Sequence, residues 1–145
     1  MGFYNVSFFK NKIDYDRVVT GSEYYPSGRY GGKVYVFYGG SPMDSVVDVW
    51  MVGKTDSSSL GYWSSGVGEA DSNNYGEFMS TARGDSIPAS VSKGVDYLWL
   101  GSAIMDTIED GWLAGCAYRV CCAGDVNGDG KDEVMMSGSS GPVSL

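Results

Sequence analysis

The feature that most constrains this chain is an internal repeat of an acidic loop followed by a short apolar segment. Residues 125–133 and residues 69–77 align without a gap, 56 positions apart, with oxygen-bearing side chains at alternate positions in both. A third, eroded copy near the start of the sequence keeps Asp16 ahead of the segment 18–22. Repeated units of this kind bury their apolar faces by stacking on their neighbours, so the repeat predicts a row of similar modules.

A second repeated element predicts strands between the loops. Residues 32–39 and 94–101 match 62 positions apart, and both are rich in β-branched and aromatic residues and end in glycine. The first of them is apolar on both faces, which predicts a central strand that is covered on both sides. A further strand is predicted within 46–52, in a unit that continues through 60–63 into the second acidic loop.

The composition favours an all-β fold. The chain has 22 glycines and 20 aromatic residues among 145, which suits short strands and tight turns. Units of about 60 residues with several short strands are typical of β-propeller blades. We expect one domain, 1–145, with units 1–40, 41–102 and 103–145. The first unit is eroded and partial and the last is partial, which gives two to two-and-a-half blades of an incomplete propeller.

Charge and residue types exclude several functions. The formal net charge is −8 and the sequence contains no histidine, so a basic nucleic-acid footprint, a Ser-His-Asp system and a His-ligated metal are not expected. No catalytic constellation is present, so the chain is not expected to be an enzyme. There is no run of 18 apolar residues that would span a membrane, and the first residues do not have the pattern of a secretory signal.

The loop 125–133 has the pattern of a calcium site. Asp125, Asn127 and Asp129 occupy positions 1, 3 and 5, Gly130 permits a sharp turn at position 6, the Lys131 carbonyl falls at position 7, and Glu133 closes the loop. Hard cations such as Ca²⁺ take six to eight oxygen ligands. Position 12 is not a carboxylate, so the loop is not an EF-hand. Plain hairpin turns explain the Asn-Gly and Asp-Gly pairs but not the first and last carboxylates.

The loop 69–77 predicts a weaker site. Its oxygen ligands are the side chains of Glu69, Asp71, Asn73 and Glu77 and the carbonyl of Tyr75. Asn74 replaces the glycine at position 6, and asparagine tolerates the left-handed backbone better than most residues. We expect this loop to keep the same backbone path and to bind metal more weakly than the loop 125–133, or not at all.

Together these elements resemble the FG-GAP repeats of the integrin α-subunit β-propeller and its bacterial relatives. The resemblance rests on the loop 124–133 with its following strand, on the segment 32–40 (GKVYVFYGG), and on Gly-Ser turns at 21–22 and 138–139. It departs from the family pattern at 116–117, where Cys-Ala replaces Phe-Gly, and in the first unit, which keeps only Asp16 of its ligands. The resemblance implies an extracellular or cell-surface, Ca²⁺-stabilised module for binding or adhesion, with a protein or glycan as its ligand.

Two other functions are compatible with the same sequence. One is a carbohydrate-binding, lectin-like propeller, for which aromatic residues such as Tyr24, Tyr25, Tyr62 and Trp63 are candidates, although blade packing explains most of them better. The other is a non-catalytic accessory part of a larger secreted enzyme. Because a few blades leave faces uncovered, we also expect self-association, with the strand after Glu133 pairing with the segment 32–40 of a neighbour.

Two lesser features complete the prediction. The tripeptide Arg83-Gly84-Asp85 is interpreted as a chance occurrence in a polar loop rather than an integrin ligand. Adjacent strand residues point to opposite faces, so Cys121 and Cys122 do not share one bond, and both are expected to be small buried residues. A single disulfide between Cys116 and one of this pair is the alternative.

Overall fold

A computed structural model describes residues 5–12, 15–26, 29–86, 93–115 and 117–138. Within these ranges the chain forms ten strands and no helix. The strands are β1 Val6–Phe9, β2 Arg17–Ser22, β3 Lys33–Tyr38, β4 Val49–Val52, β5 Leu60–Gly68, β6 Glu77–Ala82, β7 Val95–Trp99, β8 Gly111–Ala114, β9 Arg119–Gly124 and β10 Glu133–Ser137. The predicted all-β class is confirmed, and the described residues hold no helix that meets the length and apolarity needed to cross a membrane.

The strands form three antiparallel sheets in chain order. The first sheet has the order β1-β2-β3-β4, the second has β5-β6-β7-β8, and the third pairs β9 with β10. Each four-stranded sheet is a meander, in which every strand pairs with the next one along the chain.

The sheets divide the chain differently from the predicted units. A boundary after residue 40 separates β3 from β4, although Val36 of β3 pairs with Val49 of β4. A boundary after residue 102 separates β7 from β8 in the same way. The first sheet, assigned to an eroded unit on sequence, is a complete four-stranded meander. The boundary between two sheets is set by which strands pair, and the spacing of similar segments in the sequence does not reveal that pairing.

The sheets pack face to face through their first strands. On one side β5 contacts β1, β2 and β3 of the first sheet, and on the other side it contacts β9. A core of Val34, Val36, Phe78, Tyr97 and Trp99, with other buried side chains, fills the space between the first and second sheets. A smaller core that includes Val67, Met79 and Val120 lies between the second and third sheets.

Within the described residues, the middle sheet is the one that is covered on both faces. Every residue of β6 is buried, because the first sheet packs on one side of the middle sheet and the third sheet on the other. The strand β3 is central in its sheet, as predicted, but the prediction that it is covered on both faces is wrong. Val34 and Val36 are buried, whereas Lys33, Tyr35 and Phe37 on its other face are only partly buried.

Two further expectations are corrected. Both edges of β3 are already paired, with β2 and β4, so β3 has no free edge to offer β10 of a neighbouring copy. Cys121 and Cys122 are free and exposed rather than buried. Cys121 lies on the face of the third sheet that is turned away from the second sheet, where the described residues place no further strand. Cys116 lies outside the described residues, as does the turn residue at 139.

Candidate metal centre

Both acidic loops are hairpin connections between the first two strands of a sheet. One joins β5 to β6 and the other joins β9 to β10. Left-handed backbone falls at the same three positions of both loops: Gly68, Ser72 and Asn74 in the first, and Gly124, Gly128 and Gly130 in the second. The two loops therefore share their backbone turns, as the ungapped alignment predicted.

A carboxylate closes each loop with the same hydrogen bond. Glu133 Oε2 accepts from the N–H of Val126 at 2.9 Å, and Glu77 Oε2 accepts from the N–H of Ala70, which holds the equivalent second position of its loop. In the shorter first loop, Asp16 Oδ1 accepts from the N–H of Asn11 at 3.2 Å. Asp16, the residue that the sequence aligns with Glu133, thus closes its loop with an equivalent hydrogen bond.

The carboxylates converge in the loop 69–77. One carboxylate oxygen from each of Glu69, Asp71 and Glu77 lies within 4.8 Å of the other two. Ligands at 2.3–2.6 Å on opposite sides of a Ca²⁺ are separated by about 5 Å at most, so this spacing fits one coordination sphere. Among the described residues, this is the group of three acidic side chains whose oxygens lie this close together. The carboxylates of the loop 125–133 do not form such a group.

Two of these carboxylates are buried with an unsatisfied oxygen. Glu77 is fully buried and Glu69 is 8 % exposed. The Oε1 atoms of both are buried without a hydrogen-bond partner. A buried anion without a partner is costly, and a bound cation is a direct way to offset that cost.

Burial also shifts the protonation of Glu77. The pKa of Glu77 is raised to about 7, first by desolvation and then by the negative charges of Asp71 and Glu69, and backbone hydrogen bonds, chiefly from the Ala70 N–H, offset part of this increase. A divalent cation among the three carboxylates would favour the ionised form instead. The chemistry of this oxygen set therefore fits a hard cation.

Asn73, a further predicted ligand of this loop, orients its neighbours through hydrogen bonds. Asn73 donates from its backbone N–H and from Nδ2 to the two oxygens of Asp71, both at 2.9 Å, and from Nδ2 to the Gly101 carbonyl at 2.8 Å. Its Oδ1 accepts from the Tyr75 N–H at 2.6 Å. Asn73 thus orients Asp71 and ties the loop to the β7–β8 connection.

The loop 125–133 uses its oxygens differently. Asp125 accepts from the N–H groups of Gly128, Asp129 and Gly130 at 2.6–3.1 Å. Asp129 Oδ1 accepts from the Lys131 N–H at 2.9 Å, and Glu133 Oε1 accepts from Asn127 Nδ2 at 2.8 Å. The loop is exposed, and its carboxylates accept hydrogen bonds from donors within the loop. The sequence ranks this loop first as a metal site, whereas the geometry favours the loop 69–77.

The acidic loops also join neighbouring sheets. The N–H of Gly76 donates to the Lys10 carbonyl, and the N–H of Asp132 donates to the Glu69 carbonyl, both at 2.8 Å. Gly76 and Asp132 hold the same position, one residue before the closing glutamate. Each loop is therefore packed against the loop of the preceding sheet, and the loop 69–77 has neighbours on both sides. Its two ends, at Glu69 and at 76–77, are buried, whereas 71–74 are exposed.

A second acidic element was missed on sequence. The match between 32–39 and 94–101 continues at the same spacing through the β3–β4 and β7–β8 connections, where Met-Asp and a second Asp four residues after the first recur. Asp48 and Asp110 accept from the N–H of Tyr38 and Leu100 at 2.6 and 2.8 Å. Asp44 and Asp106 accept from the N–H two residues on, both at 2.9 Å. Extending the alignment would have found this element.

The connections β1–β2, β3–β4, β5–β6, β7–β8 and β9–β10 all lie at one end of the sheets, and they concentrate negative charge there. Hydrogen bonds or close backbone approaches link neighbouring loops there, including Asn74 to Lys12 and Gly39 to Asp16. With the first strand residue that follows each of them, their described parts hold thirteen carboxylates against Lys10, Lys12, Arg17 and Lys131, a net charge of −9. A cavity of about 230 Å³, whose lining includes Asp71, Asp106 and Asp110, lies beside the loop 69–77.

The residues of the Arg-Gly-Asp tripeptide and Trp63 make packing contacts within the chain. Asp85 of the Arg-Gly-Asp tripeptide is buried and accepts from the Tyr97 hydroxyl at 2.9 Å, and the Arg83 guanidinium lies 4.4 Å from the centre of the Tyr62 ring. Trp63 Nε1 donates to the Val120 carbonyl at 3.0 Å, across the gap between the second and third sheets. These contacts favour packing roles over integrin or sugar recognition.

The sequence was compared with protein-family models and with curated proteins, and it matches none of them.

Proposed function

We propose that this chain is a calcium-stabilised β-propeller module of FG-GAP type, used extracellularly for binding or adhesion. The observation that carries the proposal is the loop 69–77, where three carboxylates converge and two buried oxygens lack partners. The order of the sheets supports it, because two four-stranded meanders and the start of a third stack with their first strands in contact.

In this proposal Ca²⁺ acts on the junction between sheets. Glu69, Asp71 and Glu77 hold the ion, and the same loop is hydrogen-bonded to the preceding and the following loops. An ion there offsets the repulsion of the carboxylates and fixes the relative position of three sheets. The loop 125–133, with Asp125, Asn127, Asp129, Lys131 and Glu133, is a second and more exposed site.

The test is thermal unfolding of the chelator-treated chain with and without added Ca²⁺. At ten to a hundred times the dissociation constant, binding adds about 1.4–2.7 kcal/mol, which corresponds to roughly 3–10 °C for a chain of this size. Glu77→Gln should remove most of the increase in Tm, and Asp129→Ala should remove a smaller part. An unchanged Tm after Ca²⁺ addition to the unsubstituted chain refutes the proposal.

The two alternative functions, a lectin-like module and an accessory part of a secreted enzyme, can be distinguished from the proposed function by experiment. A lectin-like module would show glycan binding that is lost with an exposed aromatic residue, whereas the proposed module keeps its partner binding in that variant. Among the sugar-binding candidates, Tyr24 packs on Tyr30 and Tyr62 on Tyr118, with ring centres 5.0 and 6.0 Å apart, so these aromatics lie in separate pairs. An accessory role in a secreted enzyme would require a catalytic unit outside these residues.

A further inference from the structure

The first sheet presents an open apolar face on the side away from the second sheet. Strand register places its members in cross-strand rows on that face: Val6, Thr20, Tyr35 and Trp50 in one row, Phe8, Val18 and Phe37 in the next, and Val52 opposite Lys33. Val6, Phe8, Trp50 and Val52 are 68, 65, 50 and 52 % exposed. Contiguous apolar surface of this kind marks an interaction site. We call it the aromatic face.

The second sheet shows what covers such a face. Tyr97 and Trp99 hold the positions of Tyr35 and Phe37, 62 residues on, and they are only 4 and 3 % exposed. They pack in one core with Val34 and Val36 of the first sheet. The aromatic face of the second sheet is therefore covered by the opposite, aliphatic face of the first sheet.

In the part of the chain that the structure describes, the third sheet leaves the equivalent face open. Cys121 pairs with Met135 on the side turned away from the second sheet, and Met135 is 37 % exposed. The equivalent pair in the second sheet is Ser65 and Met79, and Met79 is buried in the core against Val120. A groove of about 330 Å³, with Trp63, Cys121 and Met135 in its lining, borders this open face. We call it the Met135 face.

We propose that a second copy of this chain docks its Met135 face on the aromatic face of the first. The two faces are unlike and complementary, and they lie at opposite ends of the row of sheets, so the contact is head-to-tail. It repeats the packing that already joins the first sheet to the second. It depends on the sheet faces and not on the proposed calcium site, so it is expected in the presence of chelator as well.

Light scattering of the full chain over a wide concentration range tests the proposal. We expect oligomers that dissociate on dilution. Trp50→Lys on the aromatic face and Met135→Lys on the other should each give monomers. Trp112→Lys is the matched control, because Trp112 is the equivalent residue of β8 and is 52 % exposed on the already covered second sheet.

Mixing the two variants provides the decisive result. Trp50→Lys retains an intact Met135 face and Met135→Lys retains an intact aromatic face, so an equimolar mixture should form dimers and nothing larger. Circular dichroism verifies folding, and Val52→Lys replaces Trp50→Lys if that variant does not fold. The proposal is overturned if the unsubstituted chain is monomeric throughout, if the mixture stays monomeric, or if Trp112→Lys dissociates the oligomer equally well.

Discussion

Asp132 and Glu69 bind each other through two hydrogen bonds that join the third sheet to the second. The Asp132 N–H donates to the Glu69 carbonyl at 2.8 Å, and Asp132 Oδ2 accepts from the Glu69 N–H at 2.9 Å. The second bond anchors the first residue of the proposed calcium loop to a loop of the next sheet. The contact between the second and third sheets and the position of Glu69 in the proposed calcium site therefore depend on each other.

Replacing this carboxylate should weaken the junction. Asp132→Ala removes the acceptor for the Glu69 N–H, and loss of a hydrogen bond to a charged group costs about 1.5–3 kcal/mol. Urea unfolding measures this loss. Lys131→Ala, one residue away and exposed, is the control and should leave the free energy of unfolding nearly unchanged. Equal effects of the two substitutions would show that the Asp132–Glu69 pair contributes no stability.

Calcium binding should depend on pH through Glu77. Its pKa is raised to about 7 in the metal-free protein, so below that pH the group must release a proton when Ca²⁺ binds. Calorimetry near pH 6 in two buffers of different ionisation enthalpy should therefore show proton release of about one equivalent. Glu77→Gln should abolish it, and Glu133→Gln, at the equivalent position of the exposed loop, should not. Binding without proton release would contradict this role of Glu77.

Ser72 should be replaceable by glycine with a gain in stability. It has φ of 67°, and the equivalent residue of the other loop is Gly128 with φ of 81°. A left-handed conformation costs a residue with a β-carbon about 1–2 kcal/mol, and the extra flexibility of glycine in the unfolded chain offsets part of the gain. We expect Ser72→Gly to raise the urea midpoint and Gly128→Ser to lower it. A lower midpoint for Ser72→Gly would contradict the prediction.

Asp96 should make the chain less stable as pH rises. It is fully buried on β7, and desolvation raises its pKa from 3.8 to about 7, partly offset by the Ala117 N–H. Because the folded-state pKa lies above the unfolded one, the stabilising contribution is present below pH 4 and is lost between about pH 4 and 7. Asp96→Asn should thus be the more stable protein above pH 7, by up to about 4 kcal/mol.

The comparison is made by urea unfolding of both proteins at several pH values and constant salt. At about pH 4 the two proteins should have similar stability, since Asp96 is then neutral in the folded state. A difference in stability that does not change with pH would indicate that ionisation of Asp96 is not the cause.

The sequence by itself determined the all-β class, most of the strands, and the shared turns of the two acidic loops. Strand formation and turn geometry depend on residues that are neighbours in the chain: an apolar run in 134–136, aromatic and β-branched residues in 33–38, and glycine or asparagine at left-handed positions such as Gly130 and Asn74. The aligned segments predicted these strands and turns because residues at equivalent positions have the same local backbone preferences.

The tertiary structure decided which loop brings its carboxylates together and which faces are buried. Glu69 and Glu77 have a buried oxygen without a partner because loops from both neighbouring sheets pack around them, whereas Asp125, in an exposed loop, accepts from its own backbone. Tyr35 and Tyr97 occupy equivalent positions of the repeat, yet only Tyr97 is covered. Burial depends on what packs against a residue from elsewhere in the chain, and desolvation then sets the charge and chemistry of the site.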